Sequence, residues 1–230
     1  MENRVLLTVA DGTIMAAYAA YPSKVNGSAP ALLLFQEAFG VNGHIRKVAN
    51  MFASHGFVVI APELFHRTAP QGWEGTYGDF QSVMPHFQAL TVEGMQADVK
   101  ACYDWLIGQN VDKGRVHSIG YCLGGRVSFL ANATVALKSA VSYYGGRTDS
   151  IAHLAPQVSG KHLFFWGGKD QHITPESIKT VTDALDAAGK DYINVVISYA
   201  DHAFACDERP SYNATATKEA LALTLTFFND

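Results

Sequence analysis

The stretch Ser118-Ile119-Gly120-Tyr121-Cys122-Leu123-Gly124-Gly125-Arg126 carries the strongest chemical signal in this chain. An apolar, strand-like run ends at Ile119 and a helical pattern opens near Gly124, which leaves Cys122 on the turn between them. Such a strand-to-helix turn is a nucleophile elbow, here with cysteine where serine is usual. The turn strains its central residue and needs small residues two places before and after it. Gly120 and Gly124 supply them, and Gly125 lets the helix pack close to the sheet. A helix N-terminus beside the sulfur offers N–H groups and a positive dipole end, which favour thiolate and stabilise a developing oxyanion. The N–H of Leu123 is the first such donor. Two plainer readings compete: a buried structural cysteine, or glycines that bind phosphate. The phosphate reading lacks the G-x-G-x-x-G or Lys-Ser/Thr pattern.

A cysteine nucleophile needs a base and an acid that orients it. Trp166-Gly167-Gly168-Lys169-Asp170 follows the seventh strand-like run, and Tyr199-Ala200-Asp201-His202-Ala203-Phe204 follows the eighth. Asp170 and His202 therefore fall in loops at the carboxyl ends of strands, where sheets of this type place ligands and catalysts. Each also has a plain reading, as a turn-former or as one of nine histidines. Jointly, three suitable residue types after three suitable strands point to a Cys122–His202–Asp170 triad. The third strand runs into Gln36-Glu37-Ala38-Phe39-Gly40, whose Ala38 N–H is a second oxyanion donor. Glu37 is either a solvent-facing loop carboxylate or a buried acid near the thiol.

The positioning elements are legible as periodicity. Arg4–Val9 and Ile14–Tyr21 flank Asp11-Gly12, a tight-turn signal for an antiparallel hairpin. Dense apolar runs follow at Ala31–Phe35, Phe57–Ala61, Arg115–Ile119, Ser139–Tyr143, His162–Trp166 and Asn194–Ser198, suited to strands covered on both faces. Helical patterns cover about 43–55, 92–108, 124–133, 176–188 and 212–228. This alternation predicts an α/β fold with an eight-stranded, mostly parallel sheet and helices on both faces. Pro62–Leu90 breaks the rhythm; its prolines, glycines and aromatics (Phe65, Trp73, Tyr77, Phe80, Phe87) read as a long loop that forms an ordered wall.

Lys and Arg number 17 against 21 Asp and Glu, a net charge of −4, with 48% hydrophobic residues, which describes a folded chain with no basic patch for nucleic acid or anionic lipid. One domain over 1–230 is the expected count. No apolar run is long enough for a membrane span, and Met1-Glu2-Asn3-Arg4 does not open a signal peptide. Three cysteines without short pairing point to a reducing cytoplasm. Cys102 lies on an apolar helical stripe and reads as core; Cys206 reads as pocket wall. His44, His66, His86 and His172 lack zinc-site spacing, so no metal and no cofactor are expected. Tyr143 and Tyr144 fall at the end of the sixth strand, lining a pocket or filling the core.

Gln36–Gly40, Gly120–Gly125, Gly167–Pro175 and His202-Ala203-Phe204 together resemble the dienelactone hydrolase family, with the α/β-hydrolase fold, from about Leu6 to Phe228. The resemblance implies a metal-free hydrolase of lactones or small carboxylic esters, acting on a small molecule as a monomer or weak homodimer. It implies Cys122 as nucleophile, His202 as base, Asp170 as the orienting acid, and Glu37 in contact with the resting thiol. Well-studied members grip a substrate carboxylate with two arginines. Here Cys206 occupies one of those places, and Phe80–Met84 holds no arginine at the other. Arg67 and Arg209 are the candidates to replace them, and the aromatic loop suggests an apolar or aryl-bearing ester. Two rival readings remain. A class I glutamine amidotransferase would carry a glutamate two residues after the histidine, where Phe204 stands; a redox sensor on a hydrolase fold would use Cys122 without turnover.

Overall fold

Asp11-Gly12 closes the first hairpin as its sequence demands. Gly12 takes a φ of +82°, and Asp11 Oδ1 accepts from the Thr13 N–H and hydroxyl at 3.0 and 2.6 Å. The flanking strands β1 (Arg4–Thr8) and β2 (Ile14–Ala20) pair antiparallel, with Arg4 opposite Tyr18. The computed structural model describes residues 3–24 and 28–230. It carries β3 (Ala29–Phe35), β4 (Val58–Pro62), β5 (Val111–Tyr121), β6 (Ser139–Tyr143), β7 (Lys161–Gly167) and β8 (Tyr192–Ile197). The sheet is eight-stranded, in the order β1-β2-β4-β3-β5-β6-β7-β8. β2 and β4 are antiparallel, whereas β3/β4, β6/β7 and β7/β8 are parallel. Two compact units are distinguished, one reaching to His117 and the other Ser118–Asp230, with the division inside β5.

In the first unit, Leu32, Leu33, Leu34 and Phe35 of β3 and Val59 and Ile60 of β4 are inaccessible to solvent, which explains their unbroken apolar runs. Helix α1 (Gly43–Ser54) starts at Asn42, whose side chain accepts from the Ile45 N–H, and buries Ile45, Ala49 and Phe52. Helix α3 (Val92–Ile107) starts at Thr91 and buries Met95, Val99, Cys102 and Leu106, so Cys102 is core as expected. The Arg67 guanidinium gives two bonds to Asp98 (2.8 and 2.9 Å) and one to Asp11 (2.7 Å), while His66 Nε2 lies 3.1 Å from Asp98. This network ties the chain after β4 to α3 and to the hairpin turn.

The stretch 62–90 is not loop throughout. It contains α2 (Phe80–Gln88), capped by Asp79 and carrying Pro85, a residue that signals a break to any periodicity search. Its aromatics are ordered: Phe39 meets Tyr77 and Phe80 at ring-centre distances of 4.7 and 5.4 Å, and Trp73 meets Phe65 at 5.6 Å.

In the second unit, α4 (Leu123–Asn132), α5 (Pro175–Ala187) and α6 (Ala214–Asn229) match the expected helices, and a run of 3₁₀ turns at Thr148–Gln157 was not foreseen. Among the described residues, no helix is long and apolar enough to cross a membrane. The core of this unit holds polar side chains in closed pairs. The Tyr143 hydroxyl lies 2.7 Å from Thr224 Oγ1. His162 stacks on Phe164 at 4.1 Å, faces the Asn132 amide nitrogen through Nδ1 (3.3 Å), and faces Ser142 Oγ through Nε2 (2.9 Å). Since the Asn132 amide and Ser142 hydroxyl already donate to carbonyls, a neutral ring with its proton on Nε2 satisfies the set.

Burial pushes His162 down to about 3. Unfolded, it titrates near about 6.5, so below that pH the unfolded chain binds the extra proton and stability falls as pH falls. Between pH 7 and pH 5 this group should remove about 2 kcal/mol. Urea unfolding at both pH values checks this: the loss should shrink in His162→Phe, and equal losses in the two proteins would contradict the assignment.

Candidate active site

Cys122 sits at φ +54°, ψ −113°, a conformation an L-residue adopts only when its surroundings impose it. Those surroundings are backbone. A Cβ on Gly120 would overlap the Gly124 carbonyl, and one on Gly125 would lie 2.7 Å from Gly145 Cα and 2.8 Å from the Tyr143 carbonyl oxygen. The Cys122 N–H donates to that same Tyr143 carbonyl at 3.0 Å, which anchors the elbow to β6. No side chain caps α4, so its first N–H groups, with Leu123 leading, remain available to an anion.

Asp170 and His202, the expected acid and base, come from two loops that interlock. The Gly168 N–H donates to the Ile197 carbonyl (2.8 Å), and the Lys169 N–H to that of Ala200 (2.9 Å). A Cβ on Gly167 would come within 2.7 Å of the Asp201 carbonyl oxygen, and one on Gly168 within 2.6 Å of Ser198 Cα. Asp170 and His202 are thereby held together. Asp170 Oδ1 accepts from the His172 N–H at 2.8 Å, and Oδ2 lies 2.7 Å from His202 Nδ1. His202 also hydrogen-bonds Cys122, which leaves Nε2 as the nitrogen that meets the sulfur. Cys122 is partly exposed, whereas the Asp170 side chain is fully buried.

The charges reinforce one another. Burial opposes protonation of His202, but the charge on Cys122, the hydrogen bonds to Asp170 and Cys122 and the Asp170 charge outweigh it, so the imidazole is raised. Burial would raise Asp170, yet the hydrogen bond and charge of His202 and the His172 N–H hold it below the ordinary carboxylate range. Burial and the neighbouring Arg147 charge lower Arg126, opposed by attraction to Cys122.

Of the expected site residues, Cys122, Leu123, Asp170 and His202 belong to the second unit. Glu37 and Ala38 lie directly after β3 in the first. Glu37 is fully buried, which removes its solvent-facing reading. Its Oε2 accepts from the Tyr77 hydroxyl at 3.4 Å, and its Oε1 has no hydrogen-bond partner among the described residues. Gln36 fixes the Glu37 backbone by donating to its carbonyl (3.1 Å) while accepting from the Leu64 N–H (3.0 Å). Cys206 is buried, and Arg67 is committed to Asp98 and Asp11. Two neighbours of His202 or Cys122 were given no role there in sequence: the His172 ring lies 5.2 Å from the His202 ring, and Arg126 interacts with Cys122 by charge; Tyr144, read as pocket lining or core, also has its ring 5.2 Å from that of His202. Tyr144 is fully buried with φ +38°, at a turn that Gly145-Gly146 follows.

The profile of the dienelactone hydrolase family matches residues 15–230. The chain belongs to that family. It is 33% identical to an Escherichia coli (strain K12) protein provisionally named carboxymethylenebutenolidase, over 94% of this chain and 83% of that one. It is 30% identical to the carboxymethylenebutenolidase of Pseudomonas putida, over 94% and 92%. A provisionally named dienelactone hydrolase from Klebsiella pneumoniae superposes with a TM-score of 0.88 at 29% identity, covering 99% of this chain and 98% of that one. The protein is thus a hydrolase with the α/β-hydrolase fold.

The elbow makes its own stability prediction. Gly120→Ala should destabilise the fold by about 3 kcal/mol or more, because only backbone can move to relieve the overlap. A thermal midpoint within a degree or two of the wild type would show that the approach of Gly120 to Gly124 is not tight.

Proposed function

We propose that this hydrolase opens lactones or small carboxylic esters by covalent catalysis at Cys122, with a Cys122–His202–Asp170 triad. The observation that carries the reading is the hydrogen-bonded line from Asp170 through His202 to Cys122, ending at an uncapped helix N-terminus. The Cys122 sulfur attacks the carbonyl carbon, and the carbonyl π electrons move onto oxygen. The Leu123 N–H holds that oxyanion, with the Ala38 N–H as the proposed second donor. Collapse breaks the C–O bond; the leaving oxygen takes the proton from His202, and a thioester remains.

Acylation consumes the charge on sulfur, which is what raised His202 most. The ring then loses its main reason to stay protonated and becomes a competent base for water. The water proton passes to His202, hydroxide adds to the thioester, and expulsion of the sulfur restores the starting pair with release of the acid. Asp170 keeps the ring oriented through both halves. In the same proposal, buried Glu37 contacts the resting thiol, and substrate binding frees the thiolate, whose proton goes to His202, so that the charged pair is the state that attacks. The enzyme works in the cytoplasm without a metal.

Rates of 4-nitrophenyl acetate hydrolysis test the nucleophile. Cys122→Ala should lose about 10³-fold or more, and Asp170→Asn about 10²–10⁴-fold, with circular dichroism unchanged. A folded Cys122→Ala protein with wild-type turnover would end the proposal. NMR titration supplies a second check: His202 should titrate lower in Cys122→Ala than in the wild type, because the sulfur's charge and hydrogen bond are gone. An unchanged His202 titration would break the proposed coupling.

A further inference from the structure

The Glu37 carboxyl is held at one oxygen and unpaired at the other. The side chain is fully buried, yet Oε1 has no hydrogen-bond partner among the described residues. A buried polar atom left unpaired is unfavourable, so it persists only where its surroundings hold it there. Its sister oxygen, Oε2, accepts from the Tyr77 hydroxyl at 3.4 Å. That hydroxyl is itself oriented. The Asn42 amide nitrogen donates to it at 2.8 Å, while Asn42 Oδ1 accepts from the Ile45 N–H at 3.2 Å to start α1. With its oxygen taken by the helix, the amide presents its nitrogen to Tyr77, and the phenol oxygen, having accepted that bond, turns its proton to Glu37.

A seam of main chain delivers Tyr77 to this place. The Gly75 N–H donates to the Phe39 carbonyl at 3.1 Å, and a Cβ on Gly40 would overlap the Trp73 carbonyl. A Cβ on Gly75 would lie 2.8 Å from the Trp73 ring and 3.3 Å from that of Phe39. The Arg46 guanidinium closes the seam from α1, donating to the Val41 carbonyl and to Glu74, both at 2.6 Å. The Tyr77 ring then stands edge-on to Phe39 at 4.7 Å, packed on a cluster with Ala38 and Val83. Gln36 fixes the Glu37 backbone through the carbonyl of Glu37 and the N–H of Leu64. What remains to Glu37 is rotation of its side chain, and the Tyr77 hydroxyl restrains it.

We infer that Tyr77 is a positioning residue: its hydroxyl, aligned by Asn42, holds Glu37 Oε2 so that Oε1 is the oxygen presented to the resting thiol. The inference rests on the proposed contact of Glu37 with Cys122 and adds what fixes the carboxyl for it. That contact belongs to the substrate-free enzyme. Tyr77 therefore acts on reactions that begin from that state, and not on the steps that follow substrate binding. A thiol whose partner is loosely held is released more easily, so weakening the hold makes the sulfur more reactive at rest.

Alkylation of the substrate-free enzyme by iodoacetamide, with Cys122→Ala as the blank, reads the resting thiol and needs no turnover. Tyr77→Phe keeps the ring against Phe39 and removes only the hydroxyl; it should raise the alkylation rate about threefold or more. Asn42→Ser keeps a helix cap but loses the amide, and should give a smaller change in the same direction. With 4-nitrophenyl acetate, Tyr77→Phe should lower KM rather than alter kcat, a split that a loosened fold would not produce. In a Glu37→Gln background, Tyr77→Phe should add nothing further. Wild-type alkylation and KM in Tyr77→Phe, when Glu37→Gln changes both, overturn the inference and leave the Glu37 contact standing. A Tyr77→Phe effect that persists in full beside Glu37→Gln also overturns it. If Glu37→Gln itself changes neither quantity, the contact and the inference fail together, while hydrolysis at Cys122 is decided by Cys122→Ala alone. If the ester is not turned over at all, the esterase reading fails and the alkylation rates still decide the role of Tyr77.

Discussion

The backbone of Cys122 is the constraint on which the second unit is built. A left-handed turn at a non-glycine residue costs of order 1–3 kcal/mol and persists only where neighbours over-determine it. Here the neighbours are main chain on every side: the Tyr143 carbonyl that accepts from the Cys122 N–H, the Gly124 carbonyl against Gly120, and Gly145 against Gly125. Side chains can repack around a mutation, but packed backbone cannot. The elbow therefore spends three glycines to place one sulfur, and the close seat of α4 on β6 follows from the same contacts. Such rigidity suits a nucleophile, since an error of about 1 Å in its position costs roughly 10² in rate.

The same economy governs the acid and base. Gly167 and Gly168 lie against the backbone of residues 198–201, so two loops behave as one body, and the 2.7 Å contact of Asp170 with His202 is set by main-chain geometry. Both Asp170 oxygens are engaged, by His202 and by the His172 N–H, so the carboxylate cannot swing away from the ring. Electrostatically the line is self-limiting. In the proposed mechanism a charge on the sulfur favours the protonated ring, and acylation would remove that charge at the step where a base is next required. On that proposal one histidine serves first as acid and then as base.

Legibility in the sequence tracked how local the physics was. Asp11-Gly12, the dense runs of β3 and β4 and the glycine spacing around Cys122 all act within a few residues, and each expectation matched the structure. β8 was found despite a mostly exposed face, because its aliphatic residues still mark a strand at the sheet's edge. Helix α2 was missed because Pro85 breaks its pattern, although an Asp79 cap starts it and Val83 anchors it. The 3₁₀ turns after β6 were missed because they depend on a left-handed Arg147 and on side chains bonding backward to carbonyls, neither of which has a periodic signature. Glu37 was left open between two readings. It is buried and accepts from Tyr77, forty residues away, and spacing in the chain cannot reveal that contact.

Catalytic and selective residues consequently differ in how they are written into the chain. Cys122 follows directly on β5, and Asp170 and His202 lie in the loops after β7 and β8, so strand order brings to one edge the residues proposed as a triad. Residues that choose a substrate face no such requirement. A family can hold its triad fixed by topology while altering its subsites by single changes in turns. A triad, where one is proposed, therefore says little about the substrate: the residues at Phe80–Met84 and Cys206 differ from the arginines the family resemblance leads one to expect, while the residues of the proposed triad are kept.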